Sequence, residues 1–145
     1  MNPRPIVALA CALSLAVAPW TWAQQPTGPW RPFNLGATDP PAVASQAEVT
    51  GIKFDTVTQA VVRLRRLVVS FDVKNAAGES RSIFVSIGLF NQARELLCAG
   101  STSVIDLRAA STVNLQIDFA ECGFAQATDR KISYYQVGIY AESGR

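Results

Sequence analysis

The chain has 145 residues, with 13 Lys and Arg against 11 Asp and Glu and a formal net charge of +2. A balance this close to neutral gives no electrostatic basis for binding nucleic acid or a strongly anionic membrane surface. The sequence contains no histidine, which excludes Ser-His-Asp and Cys-His nucleophile systems and removes the usual general base at neutral pH.

The first 23 residues have the features of a cleavable secretory signal peptide. Arg4 places a positive charge near the start, residues 6–17 form a short apolar run, and Ala23 is a small residue at the cleavage point. The run is shorter than the roughly 20 residues that a membrane-spanning helix needs, and no later segment approaches that length. We therefore expect a periplasmic or secreted protein without a transmembrane span after cleavage. An uncleaved anchor or a buried helix is the alternative for residues 1–23.

Residues 24–46 are predicted to form a proline-rich linker. Proline fixes φ and removes a backbone donor, so neither a helix nor a central strand fits there. Trp30 and Phe33 lie within this segment, where they either pack against the following domain or dock onto a partner. The prolines concerned are Pro26, Pro29, Pro32, Pro40 and Pro41.

Residues 47–145 predict one all-β domain, an immunoglobulin-like β-sandwich of about seven strands. Apolar and polar residues alternate with period two, which is typical of strands with one face on a core. A first strand is expected around Val49, irregular at Gly51, and two short strands at 95–98 and 103–107. The strongest alternation places Leu67, Val69, Phe71, Val73; Ile83, Val85, Ile87, Leu89; Val113, Leu115, Ile117, Phe119; and Tyr135, Val137, Ile139, Ala141 on the core side.

Three segments of this domain carry a resemblance to a known family. The sequence VVSFDVKN at 68–75 is a strand that ends in Asn before a turn, and IGLFN at 87–91 is a strand that ends in an aromatic residue. LRAASTV at 107–113 then leads through a turn into another strand. Over roughly residues 47–141 the chain resembles FxLYD-type immunoglobulin-like domains. These domains share no active site, so the resemblance implies a fold and no catalytic residue or cofactor.

Cys98 and Cys122 are predicted to form a disulfide. Cys11 leaves with the signal peptide, and two cysteines in an exported domain usually pair. The bond would close a ring of about 25 residues, for which the chain-entropy model gives roughly 3–3.5 kcal/mol of stabilisation. Two free buried thiols are the alternative.

Two groups of side chains are candidates for contacting a partner. Arg63, Arg65 and Arg66 form a basic cluster, which could instead be a solvated edge that discourages strand pairing. Tyr134 and Tyr140 share one face of the last predicted strand, where cross-strand packing is the alternative to a binding patch.

The sequence thus predicts a non-catalytic exported module that binds another macromolecule, namely an exported or envelope protein. No Gly-rich phosphate loop or dinucleotide fingerprint is present, and two oxidised cysteines cannot supply a structural zinc site, so we expect no cofactor and no metal. The alternative is a small exported inhibitor or immunity-type protein that blocks a hydrolase.

Overall fold

The computed structural model describes residues 28–60, 64–120 and 131–144. The predicted signal peptide, Arg63 and Cys122 lie outside these ranges. The described residues form eight strands and no α-helix. In chain order the strands are β1 (Arg31–Pro32), β2 (Ala42–Ala44), β3 (Ala47–Gln59), β4 (Leu64–Asn75), β5 (Arg81–Phe90), β6 (Leu96–Leu107), β7 (Thr112–Asp118) and β8 (Tyr134–Ser143).

The strands build two antiparallel sheets of four strands each. Sheet A has the order β1-β8-β5-β6, and sheet B has the order β2-β3-β4-β7. The prediction of an all-β sandwich is therefore confirmed. The described part of the proline-rich segment contributes the two shortest strands, β1 and β2, at one edge of each sheet.

The core lies between the sheets and follows the predicted alternation. The core-side residues expected for the second and third predicted strands are all buried, and they come from β4 and β5, one inner strand of each sheet. Burying branched and aromatic side chains from both faces removes apolar surface from water, which is the main stabilising contribution of a sandwich. The largest fully buried side chains are Tyr135, Phe54, Phe71, Phe119, Ile52, Leu67, Ile83, Ile87 and Leu89.

β3 contains the irregularity that the sequence predicts at Gly51. The register between β3 and β4 shifts between Thr50 and Lys53, and Gly51 has a φ of +62°. Glycine adopts this left-handed conformation without the steric cost that a Cβ atom imposes. The shift leaves both Val49 and Ile52 facing the core.

β6 differs from the prediction, because the two short strands expected at 95–98 and 103–107 are one continuous strand of 12 residues. The two expected strands leave Gly100 in the gap between them, but this glycine pairs with Ile87 inside the strand. A Cβ atom at Gly100 would overlap Ile117 and come within 3.1 Å of the Phe119 ring. Glycine is required there by close packing between the sheets and not by a turn.

Candidate functional site

The N-terminal end of the described chain is held tightly against β8. A Cβ atom at Gly28 would overlap the backbone oxygen of Val137, so only glycine permits this approach. The Gln136 amide donates a hydrogen bond of 2.8 Å to the Gly28 carbonyl. The antiparallel register of Arg31 with Tyr135 then carries the chain along the edge of β8. As a result, Trp30 lies on the side of sheet A that faces away from the core.

Trp30 forms an aromatic cluster with Phe90 and Tyr134. Its ring centroid is 4.6 Å from that of Phe90 and 6.2 Å from that of Tyr134, with interplanar angles of 76° and 75°. These are edge-to-face contacts, the geometry that aromatic quadrupoles favour. Phe90 and Tyr134 face each other across β5 and β8. Phe90 is only 8% exposed, whereas Trp30 is 36% exposed, so the cluster presents the indole to solvent.

Arg94 adds a cation to this cluster. Its guanidinium carbon lies 5.1 Å from the Trp30 ring centroid and 5.9 Å from that of Tyr134, which is within the range of cation–π attraction. None of the ion pairs found among the described residues includes Arg94. The Arg94 guanidinium therefore lies against two aromatic faces at the surface of the cluster. We call Trp30, Phe90, Arg94 and Tyr134 the Trp30 cluster.

The turn between β5 and β6 positions Arg94. The Asn91 side chain accepts a hydrogen bond from the backbone N–H of Glu95 at 2.9 Å and donates one of 2.6 Å to the Glu95 carboxylate. Arg94 itself has a φ of +63° and donates its backbone N–H to the Asn91 carbonyl at 3.0 Å. This closed turn holds Arg94 in a left-handed conformation near the two rings. A groove of about 390 Å³ lies at the same turn, lined by Asn91, Gln92, Ala93, Leu97, Lys131 and Ser133.

A second aromatic pair lies further along the same face of sheet A. Phe84 and Tyr140 are cross-strand partners whose ring centroids are 6.0 Å apart, and they are 37% and 47% exposed. Tyr134 and Tyr140 share this face, as the alternation predicts. They are six residue steps apart along β8, which is about 20 Å. They therefore belong to two different clusters and do not form one patch.

The predicted arginines lie in the other sheet. Arg65 donates a hydrogen bond of 2.9 Å to the Thr56 hydroxyl, and Arg66 forms an ion pair of 2.9 Å with Asp118. Neighbouring residues of a strand point to opposite faces, so Arg65 and Arg66 do not make a common basic surface. The structure does not bring these two arginines together with the predicted tyrosines.

The sequence predicts Tyr134 as a partner-contacting residue together with Tyr140, and it does not point to Phe90 or Arg94. Trp30 was recognised as an aromatic residue that could pack locally or meet a partner, and the structure shows it packed on Phe90 while partly exposed. Arg94 carries no pattern of its own in the sequence. Only the pairing of β5 with both β6 and β8 brings these residues together.

The fold defines the class of this protein as an all-β sandwich of two antiparallel four-stranded sheets. Comparison with known proteins finds no matching family model, no matching curated protein and no matching solved structure. Within the described ranges, no helix has the length and apolar character needed to cross a bilayer, and no group of three or more acidic or cysteine side chains could hold a metal ion.

Proposed function

We propose that this chain is a non-catalytic exported immunoglobulin-like module that binds another macromolecule, an exported or envelope protein, through the Trp30 cluster. The observation that carries the proposal is the partly exposed Trp30 ring fixed by Phe90 and Tyr134 and topped by Arg94. Trp, Tyr and Arg are the residues most enriched among the side chains that dominate binding energy at protein interfaces.

The packing within the cluster supports this role. Ordering a flexible side chain during binding costs about 0.5–1.5 kcal/mol for each residue, and that cost falls when the side chain is already fixed. Trp30 is packed on Phe90 and Tyr134, with the Arg94 guanidinium over its ring, before any partner arrives. The predicted signal peptide places the encounter outside the cytoplasm, so the partner is expected among exported or envelope proteins.

Capture of partners with the mature chain, residues 24–145, tests this proposal. The wild-type chain, Trp30→Ala and Arg94→Ala are immobilised separately and exposed to the same periplasmic or culture extract, and bound proteins are quantified by mass spectrometry. We expect the same specific protein to be lost with both variants. Val43→Ser, which alters an exposed residue of sheet B, serves as the control and should retain it.

Two further outcomes test the role of the Trp30 cluster and the alternative of an inhibitor. A captured protein that binds wild type, Trp30→Ala and Arg94→Ala equally would overturn the assignment of the cluster. If the captured protein is a hydrolase whose activity falls in the complex, the module is the inhibitor that the sequence suggests as the alternative. Trp30 covers Phe90, so Arg94→Ala guards against a loss of capture caused by misfolding of Trp30→Ala.

A further inference from the structure

The outward side of sheet A differs chemically from that of sheet B. On sheet B, ion pairs join Lys53 to Asp55 and Arg66 to Asp118. On sheet A, the outward positions of the three long strands are neutral between the two ends of the sheet. These positions are Tyr134, Gln136, Gly138 and Tyr140 on β8, Phe84, Ser86, Gly88 and Phe90 on β5, and Ala99, Ser101 and Ser103 on β6.

Charge on this face is found at opposite ends. Among the described residues, Arg94 lies over the rings of the Trp30 cluster at one end. Glu142 follows Tyr140 at the other end, where it pairs across the sheet with Ser82 and is exposed. When two copies of such a surface face each other across a two-fold axis, the cation of each copy lies opposite the anion of the other. We propose that the outer face of sheet A binds a second copy of this chain.

The lengths of the side chains along this face suit the packing of two copies against each other. The cross-strand row of Gly138, Ser86 and Ser101 is the middle of the face and has the shortest side chains. A two-fold axis that runs along this row places the row of one copy against the same row of the other copy. The short side chains there let the two sheets approach each other. Sheets packed face to face lie about 10 Å apart, which requires small residues or interdigitation at the contact.

The same two-fold axis places the exposed aromatic rings of one copy opposite a different row of the other copy. The row that holds Phe84 and Tyr140 comes to lie over the partner's row of Gln136, Gly88 and Ala99. Phe84 of each copy then covers Gly88 of the other, and Tyr140 covers Gln136. Arg94 of each copy meets Glu142 of its partner, so one arrangement satisfies shape and charge together.

The size of the face sets the expected strength. Three strands about 4.8 Å apart and nine residues from Tyr134 to Glu142, which are eight steps of about 3.4 Å, give a strip roughly 27 Å long and 15 Å wide. Such a contact falls at the small end of specific interfaces, where complexes are weak or transient. The dimer is therefore expected to dissociate in the micromolar range and not in the nanomolar range. This inference rests on the proposed function, because it uses the same face and names the macromolecule that the face fits.

Sedimentation velocity of the mature chain at rising concentration tests the inference. We expect a monomer–dimer equilibrium that Ser101→Arg abolishes, because the substitution places two cations against each other at the two-fold axis. Gln116→Arg adds the same charge at an exposed position of β7 in sheet B and should leave the equilibrium unchanged. A chain that stays monomeric up to about 1 mM, or a dimer unaffected by Ser101→Arg, would overturn the inference.

A charge swap tests the orientation of the two copies. Arg94→Glu and Glu142→Arg should each weaken self-association by about tenfold, since each sets like charges against each other. An equimolar mixture of the two variants should restore it, because every contact then joins opposite charges. A mixture as weak as the single variants rejects the two-fold arrangement. A monomeric wild type that still captures a foreign protein through Trp30 would reject this inference and leave the proposed function standing.

Discussion

The hydroxyl of Tyr135 donates a hydrogen bond of 2.6 Å to the carboxylate of Asp39, which lies 96 residues earlier in the chain. Tyr135 is fully buried, and its ring packs edge-to-face on Phe54 at 4.9 Å. Arg31 pairs with Tyr135 across β1 and β8 and donates to the carbonyl groups of Pro40 and Pro41. This network fastens the segment that contains β1 to the inside of the sandwich.

The Tyr135 phenol should make the folded protein sensitive to alkaline pH. Burial, followed by the hydrogen bond to Asp39, raises the pKa of Tyr135 well above its usual value of 10.0, although Arg31 acts in the opposite direction. The folded state then holds a proton that the unfolded chain releases, so this stabilisation is complete below about pH 10 and is lost as the pH rises further.

Urea unfolding at rising pH measures this effect. Above pH 10 the free energy of unfolding should fall by about 1.4 kcal/mol for each pH unit through Tyr135 alone. Tyr135→Phe should lack this component, and it should be less stable by about 1–2 kcal/mol near pH 8 because it has lost the hydrogen bond. Parallel pH curves for wild type and Tyr135→Phe would contradict the prediction.

Asn75 should be the most costly polar side chain to remove from the turns of the sandwich. It is fully buried, and its amide donates to the carbonyls of Glu79 at 2.7 Å and Leu107 at 2.8 Å while accepting the N–H of Ala77 at 2.9 Å. Asn75→Ala leaves three backbone groups without this partner, of which the N–H of Ala77 is buried, so we expect a loss of about 2–4 kcal/mol in thermal or urea unfolding. Asn114→Ala, at an exposed position, should cost less than 1 kcal/mol. Equal losses in the two variants would refute this role.

Periodicity alone was enough to predict the sandwich, because β4, β5, β7 and β8 each keep one apolar face along the strand. It failed at Gly100, since a glycine required for close packing and a glycine required for a turn look the same in sequence. The Trp30 cluster could not be predicted either, because Trp30, Phe90 and Tyr134 come from three separate strands or segments. Their meeting depends on strand order in sheet A, which local alternation does not encode.

Gly100 offers a direct test of the close contact between the sheets. Gly100→Ala would drive a methyl group into Ile117 and towards the Phe119 ring, so the strands must separate or the side chains leave their preferred rotamers. We expect a loss of about 1–3 kcal/mol in urea unfolding. Gly78→Ala is the matched control, because no atom lies within 4 Å of a Cβ atom at that position. A Gly100→Ala variant as stable as Gly78→Ala would show that the sheets are not packed this closely.

The disulfide between Cys98 and Cys122 stays a prediction, because Cys122 lies outside the described residues. Phe119 packs beside Gly100, only two residues along β6 from the buried Cys98. Cys122 follows Phe119 by three residues, and three residues of chain span at most about 10–11 Å. The described chain thus brings the Phe119 ring near the part of β6 that carries Cys98.

Loss of this bond should remove a large fraction of the free energy of unfolding of the domain. Cys98→Ser is expected to lower the free energy of unfolding by about 2–5 kcal/mol, the usual cost of removing a native disulfide from a small secreted domain. The double variant Cys98→Ser with Cys122→Ser should lose about the same amount, because one broken bond accounts for both changes. A thiol titration of the denatured, unreduced mature chain gives the direct measurement. Two reactive thiols for each chain would show that the cysteines are not bonded, and a double variant much less stable than Cys98→Ser would show that they act separately.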